Sequence, residues 1–234
     1  MIIDNFLDRL IDEKLTRQNE IERAGHVSSK RLTASMLNEP LQWQILKARG
    51  VLPREVDAYT LRKFKRGHDI EAWFCGVIEP ITEQQDVEYR DVNGRMDCLV
   101  DTSKWDFPRG IVPLEVKSVS NAKYKRLTKA GKPDQGHLLQ ACLYALAKET
   151  DHFGIAYIAS DDLRVSVSLH ETKDYQPAID GIIDRFNQQL ATGRVPVFEP
   201  VEAWQANAQY CKYPDWVGLS AEEIEQKLIS MGNV

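Results

Sequence analysis

With 234 residues, 43% of them hydrophobic and 28% charged, the chain is long enough to bury a core and one sizeable cleft, and is expected to fold as a single domain over 1–234. A formal net charge of −5 argues against a protein that coats nucleic acid with its whole surface, and leaves local basic patches open. No apolar run is long enough to span a membrane, Asp4, Asp8 and Arg9 interrupt the opening segment, and Cys75, Cys98, Cys142 and Cys211 form no CxxC pair, so the expectation is a soluble, cytoplasmic chain with reduced thiols, no disulfide framework and no zinc site.

Taken in chain order, Ile3, Phe6, Leu7, Leu10, Ile11 and Leu15 recur at helical spacing, which predicts an amphipathic helix over 3–21. After a polar stretch, 41–48 reads as a second helix ended by Gly50, and 57–73 as a third. The pattern then changes to short β-branched runs at 87–92 and 96–100, with Asn93-Gly94 between them as a hairpin signal. A further strand over 111–116 leads into a polar segment, 117–135, and helical spacing returns over 138–148. Strands at 154–159 and 163–169 flank Ser160-Asp161-Asp162 as a second hairpin, and helices over 178–190 and 221–229 close the chain. This is an α/β (α+β) pattern, a central mixed β-sheet flanked by helices with a helical N-terminal region.

The chemistry concentrates in Gly94-Arg95-Met96-Asp97 and, on the next strand, Leu114-Glu115-Val116-Lys117. Side chains alternate along a strand, so Glu115 and Lys117 share a face while Val116 turns into the core. Adjacent strands lie about 4.8 Å apart, which brings Asp97 within reach of the same hard cation as Glu115. Paired carboxylates with a lysine suit phosphodiester hydrolysis, where water is activated and phosphoryl oxygens accumulate charge. The competing reading of Glu-x-Lys is an ordinary solvated strand face. A helix carrying Gln140 and Tyr144 on one face follows the strand, and these two can equally be a pair at the edge of the core.

Gly94-x-x-Asp97, Glu115-x-Lys117 and Gln140-x-x-x-Tyr144, in that order, resemble the PD-(D/E)XK nuclease superfamily, and within it the RecB-type branch that includes phage lambda-type exonucleases, CRISPR-adaptation nucleases and mitochondrial genome maintenance exonucleases. Upstream, Arg66-Gly67-His68-Asp69-Ile70-Glu71 resembles that family's RG-x-x-x-(E/H) helix motif. The resemblance covers 66–144 and implies a restriction-endonuclease-like core. It implies Mg²⁺ or Mn²⁺ held by Glu71, Asp97, Glu115 and the Val116 carbonyl, with Glu71, Asp97, Glu115 and Lys117 catalytic and Gln140 and Tyr144 beside bound DNA. Read without it, Glu71 is a helix-surface acid and His68 a surface residue. Where many RecB-type relatives carry four cysteines for an iron–sulfur cluster, Asn38-Glu39-Pro40 has none and 210–214 keeps only Cys211, so no cluster is expected.

Lys117, Lys123, Lys125, Arg126, Lys129 and Lys132 have no acid among them and suggest a phosphate-tracking loop, with Tyr124 as an aromatic for base stacking; Arg62, Lys63, Lys65 and Arg66 form a second basic run. The function expected is a metal-dependent deoxyribonuclease, an exonuclease in DNA recombination, repair or phage DNA processing. The alternatives are a structure-specific or restriction-type endonuclease and a non-catalytic nucleic-acid-binding subunit. Polarity, strand preference, oligomeric state and any partner recombination protein are left undetermined by the sequence.

Overall fold

The computed structural model describes residues 6–25, 31–106 and 109–232. Helices α1 (Phe6–Gly25), α2 (Leu41–Ala48) and α3 (Ala58–Ile78) precede strands β1 (Thr82–Tyr89), β2 (Val92–Asp101) and β3 (Ile111–Val119). Then come α4 (Asn121–Ala130), α5 (Gln135–Ala147), β4 (His152–Ala159), β5 (Val165–Glu171), α6 (Gln176–Ala191) and α7 (Ala221–Ser230). Ile3, where the first helix was expected to begin, lies outside the described residues. Helix α3 runs five residues past its expected end because Phe74 and Cys75 continue its buried stripe; Asp57 caps its start by accepting from the Thr60 N–H, and Glu79 ends it in a left-handed turn.

The five strands pair in sequence order, antiparallel except for β3 and β4, which run parallel across the α4–α5 connection. The inner strand β4 is buried on both faces, as its nearly unbroken apolar run Phe153–Ala159 requires. One sheet face packs on α5, α6 and the segment from Leu32 to Val51, through Trp43, Met96, Leu143, Tyr144 and Phe153. The other packs on α3 through Ile70, Phe74, Val112, Leu114, Val116 and Ile158. The result is the expected mixed sheet with helices on both faces. All four cysteines are buried free thiols. Among the described residues no helix is long and apolar enough to cross a membrane.

Two expectations are corrected. The first hairpin turns at Arg90-Asp91, both at positive φ (48° and 64°), and Asn93 and Gly94 lie inside β2 opposite Glu88 and Val87. Arg90 tolerates that conformation while its guanidinium bridges Asp180 and Asp184 on α6, at 2.8 and 2.6 Å. The polar segment 117–135 is not a loop: it completes β3 and forms α4. Ser120 caps α4 by accepting from the Lys123 N–H, Tyr124 and Leu127 supply its buried side, and Gly131 at φ +62° stops it.

Candidate active site

The site forms where β2 and β3 stop pairing. Their ladder ends at Cys98–Leu114, and one residue further Asp97 replaces a backbone acceptor: its Oδ2 accepts from the Val116 N–H at 2.8 Å. Alternation along β3 buries Val116 against α3 and turns Glu115 and Lys117 to the opposite face, as expected. The Lys117 ammonium forms an ion pair with Glu115, whose side chain is 0% exposed. Neither Glu115 carboxylate oxygen receives a well-directed hydrogen bond. From α3, Glu71 reaches the same place, and its Oε1 accepts from the amide of Gln84, a β1 residue at φ +48°. His68 is exposed on the same helix, 4.0 Å from Glu71.

Tyr144 and Gln140 join this group from α5. The Gln140 amide donates to the Tyr144 hydroxyl at 2.7 Å, and burial followed by the Glu115 charge pushes that phenol well above its ordinary range. Gly94 explains how the ring gets there: a Cβ at that position would stand 2.7 Å from Tyr144 Cε1 and 3.0 Å from Ala34 Cβ. The bare backbone lets the tyrosine lie across β2 and reach Glu115.

Two of these carboxylates, Glu71 and Glu115, gain proton affinity from their surroundings. Burial, then the Asp97 charge, pushes Glu71 up to about 7. Burial dominates again at Glu115, which rises to about 8 despite the neighbouring Lys117, with Asp97 adding to the rise. For Lys117, burial works against the ammonium, and Glu115 and Asp97 more than offset it, holding its affinity above the ordinary value. In the folded state Glu71 and Glu115 therefore keep protons that the unfolded chain, with carboxyls near 4.5, has released. Stability from these groups is full below about pH 4.5 and is lost as pH rises toward about 8. Melting temperatures of the metal-free protein are expected to fall across that window, and Glu115→Gln to flatten the slope. Parallel slopes for the two proteins would contradict this.

The donor set is oxygen-rich, with three carboxylates drawn from α3, β2 and β3. The oxygens of Glu115 are buried beside two more carboxylates and face the ammonium of Lys117, and oxygen donors gathered in this way are the kind a hard cation takes. Among the described residues no three such side chains are already closed into a cage. Lys117 flanks Glu115 and Gln84 holds Glu71, so binding an ion requires both contacts to rearrange.

A recess of about 460 Å³ opens beside the carboxylates, lined by Lys63, Phe64, Arg66, Glu71, Lys117 and Lys123. A second, of about 700 Å³, includes Lys47, Gly94, Arg95, Gln140 and Tyr144. Of the expected phosphate contacts, Arg66 and Lys123 line the first recess. Lys123 and Arg126 both pair with Asp134, a neutralisation that no local pattern reveals. Lys125 is exposed on α4 and is not part of that lining. In the other basic run Arg62 pairs with Asp8 and Asp12 of α1, and Lys65 with Asp69. Tyr124 is 8% exposed under the Arg164 guanidinium, which removes it as a stacking surface. Gln84 and Phe64 carry no sequence signal, since only the fold brings them to the site.

No family model matches the chain, and no curated protein sequence matches it. Among solved structures it is similar to an alkaline exonuclease, LHK-Exo, from Laribacter hongkongensis, with a TM-score of 0.50 and 15% identity over 77% of this chain and 93% of that one. The same exonuclease in complex with dAMP gives a TM-score of 0.50 and 15% identity over 82% and 98% of the two chains. The protein SSO0001 gives 0.54 and 13% identity over 89% and 96%. At these identities it is the architecture that is shared: this chain has the restriction-endonuclease-like fold of the alkaline exonucleases.

Proposed function

We propose that the chain is a Mg²⁺- or Mn²⁺-dependent deoxyribonuclease that degrades DNA from an end. The observation that carries this reading is Glu115, a fully buried carboxylate without directed donors, beside Asp97 and Glu71 and paired to Lys117. Glu71, Asp97, Glu115 and the Val116 carbonyl would hold the ion, which when bound lowers the pKa of water and polarises phosphoryl oxygens. The Val116 N–H fixes one oxygen of Asp97, so that carboxylate is aimed before any ligand arrives. Lys117, freed from Glu115, places its ammonium against the non-bridging oxygens as they gain charge. Gln140 orients the Tyr144 hydroxyl toward Glu115 and so positions that carboxylate. Arg66, at the rim of the recess, holds a backbone phosphate of the incoming strand, and Lys123 can join it only by leaving Asp134.

Digestion from an end is favoured by the fold shared with an exonuclease, one of whose structures holds a mononucleotide. The test is end-labelled linear DNA beside a covalently closed circle, each with Mg²⁺ or with EDTA. Linear DNA is expected to be shortened to mononucleotides only with metal, while the circle survives. Linearisation of the circle would favour an endonuclease, and tight DNA binding without any product would favour a binding subunit.

A further inference from the structure

Helix α3 carries a feature that the hydrolytic machinery does not use. Phe64 is 54% exposed although it sits in the middle of a helix that buries Leu61, Ile70 and Phe74. A ring more than half in water at such a position contributes little to the core. Phe64 precedes Glu71 by seven residues, two helical turns, so both lie on one ridge about 10.5 Å apart along the axis. Between them stands Gly67, where an added Cβ would meet only Ser118 Oγ, at 3.9 Å. The ridge is thus a ring, a bare notch and a carboxylate, all three lining the same recess. Cations border the ring on its own helix: Arg66 lines the recess, and Lys63, also in the lining, lies over the exposed Tyr59 ring at 4.0 Å from its centroid.

We infer that this ridge is a docking track for single-stranded DNA, in which Phe64 stacks on a base a few nucleotides from the carboxylates. The inference rests on the nuclease reading for its direction, since it takes the strand to run toward Glu71. Its chemistry is that of strand-binding grooves generally, an aromatic face for the base and flanking cations for the backbone. In a paired duplex both faces of an internal base are already stacked, so Phe64 can engage only a strand that is unpaired at that point. The ridge therefore selects single strands, overhangs or frayed ends, while Gly67 leaves room for the sugar–phosphate to pass.

The test is equilibrium binding of a fluorescein-labelled single-stranded oligonucleotide to the full chain in EDTA, read by anisotropy, so that it does not depend on hydrolysis. Phe64→Ala is expected to weaken binding about 5- to 150-fold, the range found for removing one base–aromatic stack. Phe64→Trp is expected to stay near wild type, and Phe64→Leu, which is apolar but has no π-face, to behave like alanine. A 2-aminopurine a few nucleotides from the labelled end should be quenched on binding wild type and not on binding Phe64→Ala. Equal affinities for the phenylalanine, leucine and alanine proteins would overturn the inference, as would a blunt duplex that loses as much affinity as the single strand. Normal stacking in a chain that cleaves nothing would leave the track standing and remove the nuclease reading. Cleavage that proceeds with no stacking signal would do the reverse.

Discussion

Glu115→Gln, Asp97→Asn and Lys117→Met are each expected to slow DNA hydrolysis about 10²- to 10³-fold, by analogy with the roughly 3–4 kcal/mol lost when one preorganised charge-stabilising group is removed. These variants also separate chemistry from folding. In the metal-free protein near neutral pH the Glu115 carboxylate is held by burial in a state that favours its proton, so the neutral amide removes a liability. Glu115→Gln should accordingly match or exceed the wild-type melting temperature in EDTA while losing its activity and its stabilisation by Mg²⁺. A merely structural Glu115 would show the opposite pairing, with stability lost and residual activity in proportion to the folded fraction. Lys117→Met leaves the carboxylates in place and removes only the ammonium. Hydrolysis by any of the three variants within a few-fold of wild type would contradict the assignment.

Trp43→Ala is expected to cost about 3–5 kcal/mol, a large share of the roughly 5–15 kcal/mol that holds a domain folded. Trp43 is fully buried in α2, stacked on Phe198 at 5.9 Å between ring centroids and tilted against Tyr213 at 6.2 Å. Two distant stretches of chain therefore close on this ring, and truncating it would leave a cavity that neither can fill alone. Trp43→Phe should cost much less, because it keeps an apolar ring and removes an indole N–H that has no partner. Urea unfolding monitored by far-UV circular dichroism measures both. A loss below about 1 kcal/mol for the alanine protein would mean that the 198–213 segment does not lean on α2.

Part of the candidate site's geometry was legible because its spacing is a strand property: alternation alone places Glu115 and Lys117 on one face with Val116 in the core, and the structure has them so. The helices other than α4, and the second hairpin, were legible from apolar period and turn residues. What failed was local punctuation overridden by tertiary contacts. Asn93-Gly94 has the composition of a turn, yet Gly94 is needed inside β2 to admit the Tyr144 ring, and the turn falls on Arg90-Asp91, with Arg90 anchored to α6. Helix α4 was hidden because only Tyr124 and Leu127 are buried in a lysine-rich stretch, although Ser120 and Gly131 mark its ends. The pairing of Lys123 and Arg126 with Asp134, like the exposure of Phe64, depends on packing that no window of sequence contains.

The most direct measurement is the anomalous difference density of a crystal of this protein soaked in Mn²⁺. A peak within coordination distance of carboxylate oxygens of both Asp97 and Glu115, with Lys117 displaced from Glu115, is the predicted result. A manganese peak elsewhere, with the Glu115–Lys117 pair intact and no density between Asp97 and Glu115, would contradict the shared-cation site.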